Sequence, residues 1–251
     1  MGSMSREKAR NYDKYRLPYA AEAAAFAVEF AMKCAGGKGI AVADLGAGTG
    51  LLTKHFIGKA ETIYAIEPEP EMRNVAVEAL GDAPGVKFMD GTAEHSNLPD
   101  GSVDLIVAAN AYHRFQPERT IAEFARILKP DGVLAFFSYG EDDNFLRDTM
   151  QVANLKPYQE RLAETRHQTP LGYFFGKSLP AKHLFRQEHR ENWDEYWGAV
   201  ASGMESPGGN EDWFSEFREA HLERFRRLAK NGNLTVAYST EVWIGQPDYK
   251  L

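Results

Sequence analysis

The chain has 251 residues, of which 43% are hydrophobic and 26% charged, with a net charge of −7 and one cysteine. That length buries one good core, or one domain with an inserted cap. With no Lys/Arg run longer than two residues, the acidic balance argues against a nucleic-acid groove. Cys34 alone excludes an internal disulfide and a cysteine zinc site, and no apolar run approaches the roughly 18 residues of a membrane span.

Met1-Gly2-Ser3-Met4 is read as an expression remnant with the native start at Met4, and no secretory apolar segment opens the chain. Tyr12, Tyr15 and Tyr19 follow, interleaved with Lys14, Arg16 and Pro18, at spacings that also suit one face of an amphipathic helix. An alanine-rich helix is predicted from about Pro18 to Lys33, and Cys34 at its end reads as a small buried hydrophobe. Strands are predicted near 40–44, 62–66, 86–89, 103–108 and 132–138, with helices near 50–58, 70–80 and 117–128. Strand-helix alternation at this pitch argues for a parallel, doubly wound sheet. A helix carrying Phe214, Phe217, His221, Phe225 and Leu228 on one face precedes Leu234–Gly245; that segment and His183–Arg190 become the last two strands only through the family likeness set out below.

Two strand ends carry chemistry. Val42-Ala43-Asp44-Leu45-Gly46-Ala47-Gly48-Thr49-Gly50 is a strand that stops at an acid, turns on glycine and enters a helix. Glycines there let the backbone take left-handed angles and let a ligand touch the main chain. A dinucleotide fingerprint would need glycine at 51, where Leu51 stands. Asp44 at the tip would repel a pyrophosphate and attract an ammonium group. The strand Thr62–Ile66 ends at Glu67, the position from which a carboxylate accepts both ribose hydroxyl protons. Glu69 and Glu71 are explained by the dipole of the helix they begin.

These stretches resemble the class I S-adenosylmethionine-dependent methyltransferases, in particular their small-molecule (type 11/25-like) branch. Asp44-Leu45-Gly46-Ala47-Gly48-Thr49-Gly50 is similar to the family's first motif, and Ala65-Ile66-Glu67-Pro68 to its ribose-binding acid. Asp90-Gly91-Thr92-Ala93-Glu94, then Leu98 to Ile106, resembles its adenine loop and fourth strand; Ala122 to Leu134 resembles the following helix, turn and fifth strand. The likeness runs over about residues 38 to 138. It implies an α/β fold with a mostly parallel, seven-stranded, Rossmann-like sheet. It also implies S-adenosyl-L-methionine as cofactor, held by Tyr12, Tyr19, Asp44, Gly46, Ala47, Gly48, Glu67, Pro68, Thr92, Ala93, Glu94 and Asn110.

Asn110-Ala111-Tyr112-His113-Arg114-Phe115 follows the fourth strand and so lies at the ligand edge. His113 stands at the family's histidine position, with a pKa suited to deprotonating a hydroxyl or ammonium near pH 7. The stretch 139–182 is too long for a connection. It carries Phe145, Met150, Leu155, Tyr158, Leu162, Tyr173, Phe174 and Phe175, with Arg147, Arg161 and Arg166 among them. Helices near 142–153 and 156–166 would make it a substrate cap inserted after the fifth strand; residues 1–36 would form a second lid. Tyr15, Tyr112, Arg114, Tyr139, Arg147 and Phe174 are the candidate acceptor contacts. No grouping has metal-ligand spacing, which disfavours magnesium assistance. The leading expectation is methylation, at oxygen or nitrogen, of a small acceptor that is apolar or aromatic. The alternatives are a non-methylating cofactor-binding protein of the same fold, of cyclase or regulatory type, and a nucleotide-dependent oxidoreductase disfavoured by Leu51 and Asp44. A cytoplasmic monomer or homodimer is expected, with no nucleic-acid or membrane partner.

Overall fold

The structure is a computed structural model that describes residues 4–141, 155–165, 169–203 and 205–249. Its seven strands are β1 Ala41–Leu45, β2 Thr62–Ile66, β3 Val86–Met89, β4 Val103–Ala109, β5 Leu128–Glu141, β6 Ala181–Glu191 and β7 Leu234–Gly245. Its helices are α1 Arg6–Tyr15, α2 Ala21–Cys34, α3 Pro70–Leu80, α4 Pro117–Ile127, α5 Lys156–Thr165, α6 Trp193–Ala201 and α7 Phe214–Leu228. They form one sheet of order β3-β2-β1-β4-β5-β7-β6, in which β7 runs antiparallel to both neighbours. The central strands are covered on both faces, which is why β4 reads as an almost unbroken apolar run, whereas the edge strand β6 alternates half-buried and exposed residues.

One face is covered by α2. Ala23, Ala24, Ala27 and Ala31 let it approach Val42, Leu105, Val107 and Phe137 closely. The other face is covered by Phe124 and Ile127 of α4 and by a 3-10 turn, Leu171–Phe175, over Leu45, Ile106 and Phe136. The helix expected near 50–58 is only a 3-10 turn, Thr53–Phe56. Gly50 and Gly58, at φ +85° and +74°, bracket too few residues for a full helix, and the Thr53 hydroxyl is tied back to Asp44. No described helix is long and apolar enough to cross a membrane.

Two features of this topology place the site. The first is that β1 pairs with both β2 and β4, so the strand order reverses there; ligands of open α/β sheets bind beyond the carboxyl ends of strands at such a point. The second is an overhang. β5 pairs with β7 only as far as Glu141↔Tyr238, while β7 runs on to Leu234 against β6 alone. The hairpin therefore projects past the carboxyl edge and carries an insertion, residues 192–233, holding α6 and α7. Asn192 starts α6 with a capping box, accepting from Asp194 and Glu195 N–H while the Glu195 carboxylate accepts the Asn192 N–H.

Candidate active site

Asp44 near the end of β1 is fully buried. Its Oδ2 accepts the Thr53 hydroxyl at 2.6 Å, and its Oδ1 has no partner among the described residues. Burial, together with the Glu67 charge and against the Thr53 bond, pushes the carboxyl up to about 7. The chain then turns on Gly46 and Gly48 at φ +73° and +60°, and the N–H groups of Gly46 and Ala47 both bond the Ile66 carbonyl, at 2.9 and 3.0 Å. A Cβ on Gly46 would stand 2.9 Å from that of Ala111, so the glycine turn and the segment after β4 touch.

Glu67 folds onto this turn. Its Oε2 accepts the Gly48 N–H at 2.8 Å and its Oε1 the Glu69 N–H at 2.9 Å, while burial raises its carboxyl above the ordinary range. Each oxygen keeps a lone pair for a hydroxyl donor. Arg73 of α3 pins this strand tip, donating to the Glu67 carbonyl and reaching Asp90 at 3.2 Å; sequence reasoning did not single it out. Pro68 is exposed beside it.

In the loop after β3, the Thr92 hydroxyl accepts from Glu94 and His95 N–H, both at 3.2 Å, and Ala93 is buried. Glu94, expected beside adenine, also caps α4: its carboxylate accepts the Gln116 N–H at 2.7 Å and lies 3.3 Å from the Thr120 hydroxyl. The first-turn N–H groups of α4 and its dipole account for that placement.

After β4, Asn110 takes φ +49°, its N–H bonds Phe137, and its amide donates to the Tyr19 hydroxyl at 2.8 Å. Tyr19 stacks on Tyr139 with centroids 4.8 Å apart. The Tyr139 hydroxyl donates to the Leu17 carbonyl, Tyr238 donates to Pro18, and the Ala20 N–H donates to Thr240, which stitches the 17–20 segment to the sheet edge. Tyr12 lies under the Arg16 guanidinium at 5.0 Å and packs on Met72 and Val75 of α3. Thus Tyr12, Tyr19, Tyr139 and Asn110 gather beside the glycine turn. Tyr15 instead lies against Gly198 of α6, whose Cβ, if present, would be 2.4 Å from the ring.

His113 is half-buried in a 3-10 turn, Tyr112–Arg114, edge-on to Tyr112 at 5.9 Å. Tyr112 in turn meets Phe136 at 5.6 Å. Arg114, a candidate acceptor anchor, is committed to an ion pair with the largely buried Glu205 at 2.6 Å. Phe174 is corrected from pocket wall to core: it has no exposed surface and packs among Phe115, Phe124 and Phe136. Arg147, Phe145, Met150, Arg166 and the helix expected near 142–153 lie outside the described residues.

At this edge α1 of the expected lid and α5 of the expected cap meet residues 192–233, which sequence reasoning did not assign to it. Lys8 of α1 donates to the Ser206 carbonyl at 3.2 Å, and Arg161 of α5 pairs with Glu211. Arg114 holds Glu205. Three cations from three separate elements thus converge on the turn between α6 and α7. Two surface hollows lie elsewhere, one against β6 beside Phe185 and Gln187 and one at the amino edge beside Asp104 and Lys129; neither includes any residue of this constellation.

Residues 43–136 match the model of the methyltransferase domain family. Residues 43–136 carry a methyltransferase domain. An uncharacterized methyltransferase of Mycobacterium tuberculosis is 32% identical over 159 residues, 62% of this chain and 58% of that protein. The chain thus spans 58% of the length of the mycobacterial relatives it matches. A malonyl-[acyl-carrier protein] O-methyltransferase of Halalkalibacterium halodurans is 32% identical over 120 residues, 45% of this chain and 44% of that one. The likeness in fold extends beyond the matched residues. The YcgJ protein of Bacillus subtilis superposes with a TM-score of 0.57 at 19% identity, covering 91% of this chain and all of that one.

Proposed function

We propose that this chain transfers a methyl group from S-adenosylmethionine to the oxygen or nitrogen of a small, apolar or aromatic acceptor. The observation that carries the reading is the pairing of Asp44 with Glu67 across the glycine turn. A buried carboxylate with an unpartnered oxygen suits an ammonium group, and a second carboxylate with spare lone pairs suits two ribose hydroxyls. Gly46 and Gly48 keep the space between them free of side chains. Thr92 and Ala93 would edge the base, with Pro68 flanking the ribose side.

The sulfonium supplies the methyl group and its own leaving group once the cofactor is bound. What remains for the protein is alignment, exclusion of water and, for a hydroxyl or ammonium acceptor, removal of one proton. His113 beside the β4 tip is the group for that proton. The acceptor would sit between Tyr112 and the Tyr19–Tyr139 stack, under α1 and the 192–233 insertion, where aromatic walls favour a flat organic molecule. The ion pairs on the 205–211 turn would hold this cover shut against water.

The test is incubation of the chain with S-adenosylmethionine and a panel of phenols, amines and carboxylic acids, followed by assay for S-adenosylhomocysteine. Turnover with at least one small aromatic acceptor is expected, and Glu67→Gln should weaken cofactor binding by about tenfold or more, having lost an acceptor oxygen to a donor. Cofactor binding without turnover on any acceptor would favour a regulatory or cyclase-type role. Wild-type affinity in Glu67→Gln would remove Glu67 from the site.

A further inference from the structure

The sheet ends in a long strand that is open on one side. β6 runs 11 residues without glycine or proline and pairs with β7. Among the described residues, no strand or isolated bridge lies on its other side. Such an edge is a template for another strand unless something blunts it, and charged side chains are the usual means. Here the exposed residues alternate as Lys182, Leu184, Arg186, Glu188 and Arg190. Lys182 is paired with Glu241 of β7. Arg186, Glu188 and Arg190 make no ion pair among the described residues. Leu184 leaves 54% of its surface open between them.

The strand also outruns its support. Glu141, the last residue of β5, pairs with Tyr238, and Tyr238 pairs with Gln187 on β6. Beyond that line residues 188–191 pair only with 234–237, a two-stranded ribbon that gains most from a third strand. A two-fold axis through Gln187 would lay the ribbon of each copy against residues 183–186 of the other, where three strands already stand together.

The side chains select the same axis. Opposed residues in an antiparallel pair share a face, so a two-fold pair of identical strands centres on a residue. Centred on Gln187, Arg186 meets the partner's Glu188 twice, and Leu184 lies under the stem of the partner's Arg190. Phe185 faces the partner's His189, beside the hollow that β6 forms with Ala20 and Glu22. Centred on residue 186, Arg186 faces itself and Lys182 faces Arg190. Centred on residue 188, Glu188 faces itself and Arg186 faces Arg190. Centred on residue 185, Lys182 would meet Glu188, but Arg190 would lie opposite Pro180, which has no N–H to give. Centres nearer the strand ends pair fewer residues.

We propose that β6 is a dimer interface, in which two copies pair antiparallel about Gln187 and join their seven-stranded sheets into one. The contact uses the same patch on both copies and closes at two, so it does not grow into a filament. It braces from outside the hairpin that carries residues 192–233. The proposal is independent of the methyl-transfer reading.

Sedimentation equilibrium of the full chain at roughly 1–100 µM reads the association constant. Wild type should be mostly dimer at the top of that range. Arg186→Glu and Glu188→Arg should each weaken the dimer by about tenfold or more, because two attractive cross-strand pairs become two repulsive ones. The double variant restores both pairs in reversed order and should return to within about threefold of wild type. Residues 186 and 188 are exposed, so neither substitution removes a buried contact. Wild type alone gives a second readout: β6 amides should exchange hydrogen more slowly at high protein concentration than at low. A wild-type monomer at about 100 µM overturns the proposal. So does an Arg186→Glu dimer as tight as wild type, a double variant no tighter than the single ones, or β6 exchange that ignores concentration.

Discussion

Asp44→Asn should make the empty protein more stable and the cofactor complex weaker. Asp44 has no exposed surface and only one of its oxygens is bonded. Its carboxyl is held near 7 instead of 3.8, so the folded chain keeps a proton that the unfolded chain releases from about pH 4 upward. Stability from this group is therefore full below about pH 4, falls as pH rises toward 7 and levels off above it. The cost above pH 7 is about 4 kcal/mol at most, at roughly 1.4 kcal/mol per pKa unit. Asparagine removes that cost but buries an amide N–H where the unpartnered oxygen stood, losing about 1–3 kcal/mol. Thr53 keeps an acceptor in the amide oxygen. The net gain at pH 8 is about 2 kcal/mol, or roughly 4–8 °C in the melting midpoint for a domain of this size. The assay is thermal unfolding of both proteins at pH 4, 6 and 8, with and without S-adenosylhomocysteine. Without ligand, the advantage of Asp44→Asn should grow from pH 4 to pH 8. With ligand at about 100 times the wild-type Kd, wild type should gain about 2.7 kcal/mol and the variant at least about 1.4 kcal/mol less. A variant less stable than wild type at pH 8, or a difference that does not change with pH, would refute the reasoning.

Phe174→Ala should cost about 3–5 kcal/mol of stability through the cavity it leaves, while kcat/KM of the surviving folded fraction stays unchanged; denaturant unfolding alongside initial rates would show it. An acceptor KM that rises with no loss of stability would return Phe174 to the pocket wall. His113→Ala should lower kcat by about a hundredfold and leave S-adenosylhomocysteine affinity alone, as loss of a general base does. Full activity in that variant would mean that the acceptor needs no base or finds another. Gly46→Ala should abolish tight cofactor binding, since φ +73° is strained for alanine and the new methyl carbon would stand 2.9 Å from that of Ala111. Titration with S-adenosylhomocysteine checks this, and wild-type affinity would contradict it.

How much of this was legible in the sequence follows from what each signal encodes. The tips of β1 and β2 were readable because an apolar run, an acid and alternating glycines fix strand, turn and charge locally. The parallel, doubly wound core was readable from the pitch of the alternation, and the count of seven strands from the family resemblance. Phe174 was misread because aromatic density is the same in a core and in a pocket; only its place under Phe136 distinguishes them. The cap that Glu94 makes on α4 was not legible, because its partner, Gln116, lies far along the chain. The 192–233 insertion was missed for a different reason. Its strands and its second helix were recognised, but their position over the site depends on how far β6 and β7 overhang β5, a register that no local pattern carries.

The central claim, that the edge between Asp44 and Glu67 holds S-adenosylmethionine, is tested most directly by calorimetric titration of wild-type protein with S-adenosylhomocysteine and, separately, with NADH. The account predicts saturable binding of S-adenosylhomocysteine at one site per chain and no heat with NADH. Binding of NADH, or silence with S-adenosylhomocysteine in a protein shown to be folded, would contradict it.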